Sequence, residues 1–129
     1  MKKNNTHLDP ISVSVIHGAI QSIAIEMGYK LMRMSYSSII RESEDFGAAL
    51  TDSKGYQIAE STQSTPLQSG PIPGYIQNVI KVFKSRNEQF LSGDVILHND
   101  PYGGASHGPD FAVIVPIFYS RKLVGFAGT

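Results

Sequence analysis

Apolar residues recur at Val13, Ile16, Ile20, Ile23, Met27, Leu31 and Met34, steps of three and four that draw one stripe along a helix. Asp9 is a good cap for the start of that helix, and Pro10 suits its first turn, where a missing N–H costs nothing. A stripe of this length asks for a partner surface. Gly18 and Gly28 each weaken a helix by ~1 kcal/mol relative to alanine, so both positions hint at close packing. The methionines on this face read as core filler rather than ligands. A polar stretch over residues 35–45 leads into an apolar run over 46–51. Turn chemistry at Asp52-Ser53-Lys54-Gly55 and a second run over 56–59 then predict a β-hairpin.

Residues 60–73 carry three prolines among serine, threonine, glutamine and glycine, and predict a loop. It exceeds the usual ~4–6 residue connection, as a lid or a wrapping segment would. A second helix is predicted over 73–86, with Tyr75, Ile76, Val79, Ile80 and Phe83 on one face. Residues 87–93 end it, and a strand over 94–97 follows. Residues 111–119 are apolar without alternation, as a strand covered on both faces would be. Pro116 removes a ladder donor there and marks an edge or a bulge. Residues 120–122 turn the chain and 123–129 run back. The pattern predicts an α+β fold as a single domain over residues 1–129: a long N-terminal amphipathic helix and a second helix packed on antiparallel β-hairpins.

Composition narrows the picture. Eleven basic residues balance eleven acidic ones, so no net field draws the chain to nucleic acid or to an anionic membrane. No run approaches the ~20 apolar residues that span a bilayer, and Met1-Lys2-Lys3-Asn4-Asn5-Thr6 leads into a polar stretch, not a signal-peptide core. The expectation is a cytoplasmic protein with neither membrane nor nucleic acid as partner. The absence of cysteine leaves only nitrogen and oxygen donors for any metal.

Candidate chemistry concentrates in the glycine-rich stretch 93–110, which holds Asp94, His98, Asp100, His107 and Asp110. His107 and Asp110 are three apart around Gly108-Pro109, a dipeptide that turns the backbone and lets an imidazole and a carboxylate converge. Such a pair suits zinc, manganese or iron, and a catalytic site needs about three protein ligands. Two are too few, and a His-x-x-Asp spacing also arises in loops that only satisfy their own hydrogen bonds. If Tyr119 pairs with Leu123, the residue opposite Asp110 falls roughly three positions beyond Thr129, allowing a slip of about one for turn type. Asp100 has three readings: a backbone cap, a carboxylate orienting a ligating histidine, or a base toward water activated at the metal. His98 reads as a packed, hydrogen-bonded histidine and Tyr102 as a lid residue. Gly103-Gly104 would let backbone approach a ligand, without the spacing of a phosphate loop. Arg41, Glu42, Glu44 and Asp45 either line a site or form a solvated surface.

Several short runs carry a family resemblance. Asp9-Pro10-Ile11, Glu26-Met27-Gly28, Ser35-Tyr36-Ser37, Arg41-Glu42, Asp45-Phe46 and Gly93-Asp94-Val95 resemble, in this order, the amino-terminal part of the hydantoinase B/oxoprolinase family. Asn99-Asp100-Pro101-Tyr102 and His107-Gly108-Pro109-Asp110 resemble its most recognisable signature. The family includes subunits of ATP-dependent hydantoinases, oxoprolinase, and acetone and acetophenone carboxylases. The resemblance implies a two-component enzyme. A hydantoinase A-type partner would use ATP to phosphorylate a carbonyl or enol oxygen, and this B-type component would complete the reaction at a divalent metal, zinc, manganese or iron. His107 and Asp110 carry over as metal ligands. In the carboxylase branch a further histidine on the following strand corresponds to the position that the hairpin count places past Thr129. Family members are several times longer, which implies an amino-terminal fragment that is inactive alone. The expected reaction is hydrolytic opening of a small cyclic amide, with Asp100 as candidate base. Carboxylation of a ketone is one alternative, and a noncatalytic docking domain the other.

Overall fold

The computed structural model of the protein describes residues 9–129. The reading of Met1-Lys2-Lys3-Asn4-Asn5-Thr6 therefore lies outside the described residues. The first helix, α1, covers Pro10–Met34. Its Asp9 cap accepts hydrogen bonds from the amides of Ile11 and Ser12 at 3.3 and 3.0 Å and from the Ser12 hydroxyl at 2.8 Å, pairing donors that a helix start leaves open. A short turn of helix, α2, follows at Ser38–Arg41.

Five strands form one antiparallel sheet: β1 Ala49–Asp52, β2 Gln57–Glu60, β3 Ile96–His98, β4 Ala112–Tyr119 and β5 Lys122–Gly128, in the order β2-β1-β5-β4-β3. Both expected hairpins are present, β1 with β2 and β4 with β5, and pairing of β1 with β5 joins them. The segment 60–73, expected as loop, contains one further turn of helix, α3, at Pro66–Ser69, ahead of the long helix α4 at Ile72–Ser85. Neighbouring residues on a strand face opposite sides, so each side of the sheet gathers its own core. Ala49, Ile114 and Phe126 face α4, which packs Ile72, Tyr75, Ile76 and Val79 onto them. Leu50, Ala59 and Ala127 face α1, against Ile20, Ala24 and Met27. The architecture is α+β, with the sheet between two helices.

Three local expectations meet the structure differently. Strand β4 alternates buried Ala112, Ile114 and Pro116 with half-buried Val113 and Val115, so it is not covered equally on both faces. The cause is the placement of α1, which lies over β1 and β2 and leaves the same side of β4 more open. Pro116 sits where β3 no longer reaches, because β3 pairs only with residues from Ala112 to Ile114; a bulge follows between Ile117 and Phe118. Its missing N–H therefore breaks no ladder bond on that side. The β4–β5 turn places Ser120 and Arg121 at φ of 47° and 65° and pairs Tyr119 with Lys122, one residue from the expected register. The bulge restores that register, and Ile114 lies opposite Gly128.

Helix α1 keeps only part of its expected contact. Ile11, Val13, Val15 and Ile16 remain exposed, while the stretch from Ile20 onward meets the sheet. An 18-residue window of α1 has a mean hydropathy of 1.3, so by length and composition it is apolar enough to cross a bilayer, which corrects the expectation that no stretch comes near that threshold. The same helix lies on the sheet, where the Gln21 side-chain amide donates to the Glu60 carbonyl at 2.7 Å. The two glycines part company. A Cβ at Gly28 would come within 2.9 Å of the Ser61 Cβ and 3.2 Å of the Phe46 ring, whereas one at Gly18 would meet nothing within 4 Å.

The contrast between these glycines can be measured. Gly18→Ala should stabilise the protein by up to ~1 kcal/mol, a few degrees in Tm, and Gly28→Ala should lower Tm despite the same gain in helix propensity. Equal shifts in a melting experiment would refute the packing at Gly28. At the start of α1, the Ser12 hydroxyl, followed by the Ser12 and Ile11 amides, holds the Asp9 carboxyl below its ordinary value. A depressed folded-state value means that the cap contributes above the unfolded pKa of ~3.9 and is lost as pH falls through the lower folded value. Ser12→Ala should move acid fraying of α1 to higher pH, read as helical ellipticity; an unmoved midpoint would refute it.

Candidate metal and substrate cleft

The loop that carries His107 and Asp110 is anchored on α4. Its lower half starts at the end of β3, where His98 stacks beside the Tyr75 ring with centroids 5.5 Å apart and its Nε2 lies 3.2 Å from the Asn78 side-chain nitrogen. That contact needs Nε2 as acceptor, which places the ring proton on Nδ1, a buried atom without a hydrogen-bond partner. The sequence reading of His98 as packed and hydrogen-bonded thus describes one of its two nitrogens.

A single 3-10 turn at Pro101–Gly103 comes next, and Asp100 caps it by accepting from the Tyr102 amide at 3.0 Å. Of the three readings of Asp100, the backbone cap is the contact present, and Asp100 is not among the residues lining the cleft described below. Gly103 and Gly104 press against α4. A Cβ on Gly103 would come within 2.9 Å of His98 Nε2, and Gly104, at φ of 107°, lies so that a Cβ would meet the Gly74 carbonyl carbon at 3.1 Å. These glycines let backbone approach a helix, where a close approach to a ligand was expected. Tyr102 is fully exposed.

The upper half of the loop is tied by three side chains. Asn99 donates to the Gly108 carbonyl at 2.9 Å, closing the loop on itself. The buried Tyr75 hydroxyl accepts from the Ser106 amide at 3.2 Å. The Ser106 hydroxyl donates to Asp110 Oδ2 at 2.7 Å, and His107 Nδ1 stands 3.1 Å from the same oxygen. Ser106 also lies 3.3 Å from His107 Nδ1. Serine and aspartate thus address the same ring nitrogen, unlike a nucleophilic triad, in which they address opposite ones.

His107 and Asp110 open onto a cleft of about 550 Å³ walled by Leu31, Ile40, Phe46 and Phe111, with Asp45 also in its lining. Asp45 belongs to the charged stretch that the sequence left undecided. Glu44, at φ of 52°, turns the backbone before it, and the Thr65 hydroxyl approaches Asp45 Oδ1 at 3.4 Å. Arg41, Glu42 and Glu44 are exposed and do not line the cleft. The structure therefore gathers His107, Asp110 and Asp45 around one space. Among the described residues no three histidine, aspartate or glutamate side chains stand close enough to share an ion. Sequence reasoning missed Tyr75, Asn78, Ser106 and Thr65 as site residues. Tyr75 read only as core, and nothing in the spacing links Ser106 to a helix thirty residues earlier.

Comparison with known proteins places this geometry. Residues 9–129 match the family model described as Hydantoinase B/oxoprolinase. A Pseudomonas sp. (strain NS671) protein, provisionally named as the B component of a D-/L-hydantoinase, is 58% identical over 132 aligned residues, which cover 100% of this chain and 22% of that protein. The crystal structure of the ATP-dependent caprolactamase from Pseudomonas jessenii superposes with a TM-score of 0.77 and 30% identity, over 95% of this chain and 20% of the other. A nucleotide-free acetone carboxylase gives a TM-score of 0.83 at 22% identity, over 93% of this chain and 16% of the other, a likeness of fold. The chain thus spans about a fifth of the length of the relatives it matches.

The seating of the loop on α4 makes a prediction. Gly104→Ala combines a positive φ with a backbone contact and should lower stability by roughly 1–3 kcal/mol while displacing the Ser106–Asp110 segment. Amide chemical shifts of residues 105–110 should move together; a variant with unchanged Tm and shifts would refute the tight seating.

Proposed function

Because the chain belongs to the hydantoinase B/oxoprolinase family, we propose that it forms the amino-terminal part of a metal-dependent subunit in an ATP-dependent enzyme that opens cyclic amides. The observation that carries this reading is the convergence of His107 and Asp110 on one cleft, in a chain 58% identical to a protein provisionally named as a hydantoinase component.

The donor set fits a divalent metal of borderline hardness, zinc, manganese or iron. His107 Nδ1 faces Asp110, and among the described residues its Nε2 takes part in no hydrogen bond, so that nitrogen is available as a ligand. Asp110 offers its carboxylate beside it. These are two of the about three protein donors that a catalytic site uses, and a longer chain following the β4–β5 register would bring another residue opposite Asp110. When bound, the metal supplies a Lewis acid for polarising an oxygen or acidifying water.

The chain's own residues do the rest of the work. Leu31, Ile40, Phe46 and Phe111 form apolar walls that strip water from a small ring, and about 550 Å³ falls within the ~300–1,000 Å³ of small-molecule sites. Across the space Asp45 presents a carboxylate suited to accept the N–H of a ring amide. Activation by ATP is assigned to a hydantoinase A-type partner, since the described residues include no phosphate loop. The ketone carboxylase reading is favoured only by the TM-score of 0.83 at 22% identity, which speaks to the fold.

Metal analysis of the full-length protein tests the site. His107→Ala should lose most of the bound metal, and Asp110→Asn should weaken it. Unchanged content in both would sink the assignment. With the ATP-using partner present, ATP-dependent consumption of hydantoin or 5-oxoproline is expected; bicarbonate-dependent consumption of a ketone instead would replace the hydrolase reading with the carboxylase one.

A further inference from the structure

We propose that Ser106 is a positioning residue: it holds Asp110 and His107 in one arrangement, fixing the histidine with its proton on Nδ1 and its lone pair on Nε2. The proposal rests on the metal reading for its purpose, but its geometry stands apart from it.

Three contacts carry the inference. The Ser106 hydroxyl has one proton, and at 2.7 Å it is donated to Asp110 Oδ2. Its lone pairs then face His107 Nδ1 at 3.3 Å, and Asp110 Oδ2 faces the same nitrogen at 3.1 Å. Two acceptors around one ring nitrogen favour the tautomer in which that nitrogen carries hydrogen. The other nitrogen is then left with the lone pair that a ligand requires. Hydrogen bonding of a ligating histidine's second nitrogen to a carboxylate is a recurrent way to set ring orientation and raise donor strength.

The third contact explains why the serine can do this although its side chain is exposed. Its backbone N–H is donated to the hydroxyl of Tyr75, which is buried in α4 against the sheet. Ser106 is therefore held from behind by the core and reaches forward to the pair. His107 is itself 57% exposed at its side chain, against 22% for Asp110, so the ring has no packing of its own to hold it. Without Ser106, Asp110 loses a donor and His107 an acceptor, and the ring is free to turn.

Nitrogen-detected ring spectra of His107 in the metal-free full-length protein, recorded on the neutral imidazole, test the claim directly. The wild-type ring should show hydrogen on Nδ1. Ser106→Ala should give a mixture of tautomers, Ser106→Thr should restore the single form, and Tyr75→Phe should produce a smaller change in the direction of Ser106→Ala. The same tautomer in wild type and Ser106→Ala would overturn the proposal. Metal affinity is read separately by competition with a chelator, using Zn²⁺ or Mn²⁺ alone. Ser106→Ala should weaken it by about 10–100-fold, with Thr restoring most of the loss. If the tautomer responds but wild type binds neither ion, the metal reading falls while the positioning role of Ser106 stands. If affinity drops and the tautomer does not respond, the positioning role is refuted and the metal reading stands.

Discussion

Burial of one face of α4 on β4 and β5 is the contact on which the rest of the molecule depends. Ile72, Tyr75, Ile76 and Val79 meet Ala112, Ile114 and Phe126, all nearly without solvent contact. A large apolar side chain so buried contributes roughly 1.5–3 kcal/mol, so this patch alone rivals the net stability of a small domain before chain entropy is subtracted. At the far end of α4, Phe83 stacks on Phe90, which meets the Phe126 ring edge-on, so the loop after α4 is tied to the same core. The site borrows this rigidity. Tyr75 buries its ring in the core and presents its hydroxyl to the Ser106 amide, while Asn78, one turn further along α4, meets His98.

That sharing explains why a glycine-rich loop can hold chemical groups in place. A loop of this composition would ordinarily carry a large conformational entropy, and ordering each residue costs about 1–2 kcal/mol. Here the chain is fixed at several points between Asn99 and Asp110, by Asn99 to Gly108, by Gly103 and Gly104 against α4, and by Ser106 to Tyr75 and Asp110. The glycines are needed because the backbone must approach the helix more closely than a Cβ allows. Their place in the loop is structural, although the composition alone also fits a ligand-cradling one.

Much of the fold was legible in the residues because it follows from local rules. Helical spacing found α1 and α4, turn chemistry found both hairpins, and Pro116 marked a place without a ladder partner. What escaped was set by relations between distant segments. The apolar stripe of α1 reads as continuous, yet only the part from Ile20 onward meets β1, β2 and β5, because the helix outruns the sheet beneath it. Gly18 and Gly28 look alike in sequence and differ only in what lies opposite. The two short turns at Ser38–Arg41 and Pro66–Ser69 lack any periodic signal, being a single turn each.

The cleft shows the same division. Its His-x-x-Asp pair was visible, since spacing and a Gly-Pro turn bring the two together without help from elsewhere. Asp45 was visible only as one of four charges, and nothing local separated it from Arg41, Glu42 and Glu44. The fold makes that separation through Phe46, which is buried under α1 beside Gly28 and so fixes the residue before it at the cleft wall, while the three earlier charges point to solvent. The close approach of α1 at Gly28 is thus connected to the chemistry by one residue of chain: a bulkier side chain on the helix would push Phe46, and Phe46 would carry Asp45 with it. A glycine in a helix far from the metal-ligand motif in sequence becomes part of what shapes the cleft.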